Sequence, residues 1–169
     1  MRHKILILDT SVLCCWLKVP GKETAGPECD RWDYDRINRL LEEESRAGTT
    51  FVLPIAALIE TGNHIAQAPH QRYECALELA AHLRNASDAN SPWAAFVEQS
   101  ELWSAEKLRS LAEEWPQLAA ANITIADATI KSVAEYYAAA SVQVTILTGD
   151  AGLKAFEPAA PPLVPRRRT

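Results

Sequence analysis

Three short apolar runs punctuate this chain. They are KILIL at 4–8, TTFVL at 49–53 and VQVTIL at 142–147. Each is continuous rather than alternating, the pattern of a strand buried on both faces. Between them the apolar residues recur at helical spacing. Ile37, Leu40 and Leu41 share one helix face, and Gly48 can end that helix. Pro54 opens a helix, IAALIETGNHIAQ, that runs to about Gln67 and is broken by Ala68 and Pro69. Tyr73, Ala76, Leu77, Ala80 and Leu83 form a further stripe. A polar loop, NASDANSP, follows at 85–92. The stripe Leu108, Leu111, Ala112 and Trp115 is expected to stop at Pro116. Ile130, Val133, Ala134 and Tyr137 mark a helix that begins near Ile125. After the third strand, Gly149 and Asp150 turn into a short final helix.

Strands separated by helices predict an α/β fold: a central parallel sheet with helices on both faces. The expected domain is a single one over 1–157. The Pro- and Arg-rich segment 158–169 reads as a disordered tail. The stretch at 19–27, with two glycines and two prolines, reads as a loop.

Composition narrows the class only slightly. The 169 residues suffice for one sizeable core. No apolar run approaches the ~18 residues that span a bilayer, and Asp9 interrupts the apolar N-terminus, so a cytoplasmic protein is expected. Cys14, Cys15, Cys29 and Cys75 form no CxxC pair, which disfavours zinc and fits reduced, mostly buried thiols. The net charge of −5 argues against a broad basic surface for long nucleic acid. It does not argue against a carboxylate metal site, which is itself negative.

The candidate chemistry lies in four acids, and each has a structural alternative. Asp9, directly after the first strand, is placed to cap a helix beginning near Ser11. Glu60, in the helix after the second strand, fits a solvated helix position. Asp127 completes a capping box with Thr124 and stands four residues before Lys131, a spacing that permits an ion pair. Asp150 can cap the last helix. Taken together they read differently. In a parallel α/β sheet all four map to the edge where sites form, two at strand ends and two in early helical turns. Four converging carboxylates repel unless a divalent cation is shared. Oxygen ligands favour Mg²⁺ or Mn²⁺, and two such ions ~4 Å apart can clamp a phosphodiester for attack by water.

These blocks resemble the PIN-domain nuclease family. The resemblance lies in ILDTSVL around Asp9, PIAALIETGNHI around Glu60, ITIADATI around Asp127 and TILTGDAGLKAF around Asp150. The blocks stand in the family's order and span 4–156. The resemblance implies a PIN-like (Rossmann-like) sheet and an acidic pocket holding Mg²⁺ or Mn²⁺. It implies a metal-dependent endoribonuclease that hydrolyses RNA. Asp9, Glu60, Asp127 and Asp150 are then the catalytic, metal-binding acids. Ser11 and Thr148 are then the supporting polar residues, which orient a carboxylate or a metal-bound water. Many small bacterial members of the family resemble VapC-type toxins, which are neutralised by an antitoxin and are often homodimers; the resemblance extends those partners to this chain as expectations. The segments 19–35 and 85–103 are longer than in compact members of that kind.

Two rival readings remain open at this point. One is a degenerate PIN-like module that holds RNA or a protein partner without cutting. The other is a phosphatase of the haloacid-dehalogenase class, which starts from D-x-D; here the second position after Asp9 is Ser11. His64 shares a helix face with Glu60 and reads either as a surface histidine or as a phosphate contact. The five tryptophans suit packing, with Trp93 and Trp103 at an excursion that suggests a partner contact. Arg166, Arg167 and Arg168 read as a solvated cluster.

Overall fold

The structure, a computed structural model, describes residues 3–162. Arg166, Arg167 and Arg168 lie outside the described residues. Three parallel strands form the sheet: β1 (Lys4–Leu8), β2 (Thr50–Val52) and β3 (Gln143–Leu147), in the order β2-β1-β3. Ile7 stands opposite Val52 on one side and Ile146 on the other. Ile5, Leu6, Ile7 and Leu8 are all at most 3% exposed. Successive strand side chains point to opposite faces, so both faces of β1 are covered. The mixed α/β architecture, with helices flanking a parallel sheet, is compatible with a Rossmann-like fold.

The helices are α1 (Thr10–Trp16), α2 (Tyr34–Arg46), α3 (Ile55–Gln67), α4 (Arg72–Ser87), α5 (Ala105–Ala120), α6 (Ile125–Ala138) and α7 (Ala151–Lys154). Short 3₁₀ segments occupy Glu28–Asp30 and Phe96–Trp103. The α2 helix starts on Asp33, whose carboxylate accepts from the Arg36 N–H at 2.9 Å. It stops before Gly48, which takes a φ of +79°. One core cluster surrounds the sheet. A second, built from Cys14, Leu17, Val19, Ile65, Cys75 and Leu79 among others, joins α1 to α3 and α4. No helix among the described residues is long and apolar enough to cross a membrane.

Several expectations change. Pro116 does not stop α5, which continues to Ala120. A proline removes only its own N–H bond and crowds one carbonyl, and the exposed ring of Pro116 lies in the final turns, where the loss is small. The α4 helix runs to Ser87, so the polar loop begins later than Asn85. Trp93 is not a surface contact but a core residue, 7% exposed, with its ring edge-on to Phe51 at 5.8 Å. The 85–95 segment returns beside β2: the Phe51 N–H donates to the Pro92 carbonyl and the Ala94 N–H to the Phe51 carbonyl. The second excursion is thus used to cover a sheet edge. Cys14, Cys15 and Cys75 are buried free thiols, as expected, and Cys29 is an exposed one.

His82 is held between two of the tryptophans. Its ring stacks on Trp16 at 4.3 Å and lies 5.3 Å from Trp93, and its Nδ1 is buried with no partner among the described residues. Burial lowers its pKa. The unfolded chain therefore binds a proton at a higher pH than the folded one, and stability is lost as pH falls through the unfolded value of about 6.5. Urea midpoints measured from about pH 8 down to pH 5 will decline below that value, and His82→Phe will flatten the decline. An unchanged slope in the variant would contradict this assignment.

Candidate metal centre

Parallel strands end at one edge, and the four acids leave from there. Asp9 directly follows β1, and its N–H donates to the Leu147 carbonyl at 3.1 Å, extending the ladder by one residue. It is also the N-cap of α1. Asp150 follows β3 and caps α7. Glu60 lies in the second turn of α3, the helix that β2 feeds. Asp127 lies in the first turn of α6, which packs on α3, β1 and β3. All four line one hollow of about 600 Å³, together with Thr10 and Ser11.

The capping alternatives for Asp9, Asp127 and Asp150 are realised at the same time, while Glu60 is half-buried rather than a fully solvated helix residue. Asp127 and Thr124 form the full capping box, with Thr124 Oγ1 donating to Asp127 Oδ2 at 2.7 Å. Asp150 Oδ1 accepts from the Gly152 and Leu153 N–H groups at 2.6 and 3.3 Å. Glu60 Oε2 accepts from the Thr10 hydroxyl at 2.9 Å. Lys131 does not pair with Asp127; it bonds Glu135 one turn on, at 2.9 Å.

Asp9 is the most constrained. It is 5% exposed, and burying a carboxylate is costly unless donors surround it. Oδ2 accepts from the Ser11 N–H at 3.3 Å, the Ser11 hydroxyl at 2.7 Å and the Thr148 hydroxyl at 2.8 Å. Each hydroxyl accepts in turn from the turn after β3. The Gly149 N–H donates to Ser11 Oγ at 3.0 Å, and the Asp150 N–H donates to Thr148 Oγ1 at 2.9 Å. Ser11 and Thr148 thus tie Asp9 to the turn after β3.

A common pattern emerges. Each acid spends one oxygen on local donors: Asp9 Oδ2, Glu60 Oε2, Asp127 Oδ2 and Asp150 Oδ1. The second oxygen of each accepts no hydrogen bond among the described residues. Such a set fits a hard cation, because the anchored oxygen orients the other. Among the described residues, no group of three or more His, Cys, Asp or Glu side chains is arranged to hold a metal ion, so the four carboxylates would have to draw inward to share one. Sulfur does not compete. Cys14 lines the hollow, but burial pushes its thiol up to about 11, so it stays protonated near neutral pH.

Sequence reading missed Thr10 and Lys22, which also line the hollow. Thr10 was legible in principle, because it follows Asp9 directly in the DTS triplet. Lys22 lies in an aperiodic loop, where no spacing rule places a side chain. Comparison with protein-family models, with curated proteins and with solved structures gives no match.

Thr148→Val will strip one donor from Asp9 and leave the Asp150 N–H without its acceptor. Denaturant unfolding should show a loss of about 1–3 kcal/mol, with Thr148→Ser close to wild type. A valine variant of wild-type stability would show that this link carries no weight.

Proposed function

We propose that the chain is a PIN-like, Mg²⁺- or Mn²⁺-dependent endoribonuclease that hydrolyses RNA phosphodiester bonds with water. One observation carries the reading: Asp9, Glu60, Asp127 and Asp150, from four separate segments, line a single hollow at the carboxyl edge of a parallel sheet. A divalent cation bound there would supply activation of water and neutralise charge on the phosphodiester.

The chain's own residues divide the remaining work. Ser11 and Thr148 fix the orientation of Asp9, and Thr10 fixes that of Glu60. Asp127 and Asp150 are held by the first turns of their helices, whose N–H groups also favour a carboxylate there. Each acid has one oxygen without a hydrogen-bond donor among the described residues, which leaves it available to a cation. The net charge of −5 agrees with this reading, since part of that charge belongs to the site.

The test is RNA cleavage with and without Mn²⁺, read beside Mn²⁺ titration of the same protein. Wild type should bind Mn²⁺ and cut. Asp9→Asn, which keeps a good N-cap, should stay folded and lose about a hundredfold or more in cleavage rate. Undiminished cutting by Asp9→Asn, or by wild type in excess chelator, sinks the proposal. RNA bound in Mn²⁺ but left intact identifies a degenerate binding module instead.

A further inference from the structure

The loop between α1 and α2 reaches the hollow through Lys22, Thr24, Ala25 and Gly26. It is tied down at both ends. Val19 is fully buried in the second core cluster, and its N–H donates to the Cys14 carbonyl at 2.9 Å. The Lys22 N–H donates back to the Val19 carbonyl at 2.9 Å, closing a turn. Further on, Ala25 and Trp32 exchange two backbone hydrogen bonds, of 3.0 and 2.7 Å. The loop then presses on the turn after β3. A Cβ added at Gly149 would lie 2.6 Å from the Gly26 nitrogen and 2.8 Å from Ala25 Cβ. Only glycine permits this approach, so the loop forms a fixed wall of the hollow.

Among the described residues, Lys22 is the one lysine or arginine lining that hollow. Its side chain makes no ion pair or hydrogen bond among the described residues, although four carboxylates line the same space. Its ammonium still acts electrostatically on the Cys14 thiol in the wall. Charge balance gives this cation a use. Four carboxylates on one hollow repel an entering phosphate, and this ammonium is the side-chain cation that the loop wall sets against that repulsion. We propose that Lys22 is a substrate-positioning residue that contacts a backbone phosphate of single-stranded RNA lying against the loop wall. This inference rests on the nuclease reading above for its choice of ligand.

The experiment is fluorescence anisotropy of a short single-stranded phosphorothioate RNA in Mn²⁺ across a salt series, with cleavage of ordinary RNA measured in parallel. Lys22→Ala should weaken binding about tenfold and lower the salt slope by about 0.7, the value of one phosphate contact on a single strand. Lys22→Arg should restore both, and Mn²⁺ titration should be the same in all three proteins. If Lys22→Ala binds as wild type does, the inference falls, while cleavage by wild type would leave the nuclease reading standing. If wild type binds with the Lys22 dependence but does not cut, the nuclease reading falls and the Lys22 contact stands. If wild type binds no RNA, both fall.

Discussion

The structure turns on a buried carboxylate that cannot be left unsatisfied. Asp9 sits where the central strand leaves the core, and its Oδ2 gathers two hydroxyls that are themselves anchored by backbone N–H groups of the next strand's turn. Low local dielectric strengthens each of these bonds and raises the cost of losing one. The consequence is geometric. The ends of β1 and β3 are locked in register by the same atoms that orient the central acid, so fold and site are not separable there. Ser11 and Thr148 each serve as donor and acceptor in this network, a role that an alanine or a valine cannot fill.

Much of this was legible in the chain. KILIL, TTFVL and VQVTIL became strands because continuous apolar runs need burial on both faces, and the Thr124–Asp127 box became a helix start because each side chain accepts from the other residue's backbone N–H. What was not legible depended on contacts distant in sequence. Trp93 looked like a residue for a partner because no periodicity surrounds it; only the return of its segment to Phe51 explains its burial. Pro116 looked like a stop because local rules weigh the missing N–H but not Leu111, Trp115 and Leu118, half-buried on either side of it. Lys131 had two acids at equal spacing, Asp127 and Glu135, and the first was already held by its cap.

Capping by Asp9, Asp127 and Asp150 does not by itself exclude a second role for these carboxylates. A capping carboxylate has two oxygens, and the helix start uses one. The cap fixes the rotamer, and the remaining oxygen is presented without the entropy cost of holding a free side chain in place. For this reason a sequence rule that finds a cap cannot by itself dismiss a site. The loop before α2 adds the opposite kind of control, a wall whose position depends on the absence of a Cβ at Gly149.

Both margins of the sheet are closed by the chain itself. Beside β2 lies the Pro92–Ala94 backbone, and beside β3 the Lys154 ammonium donates to the Ile146 carbonyl while Glu157 accepts from the Ile146 N–H. A visiting strand would find its hydrogen-bonding groups at Ile146 and Phe51 already taken. Strand addition at these two positions, and the fibrous polymers it seeds, would first have to displace the groups already bound there.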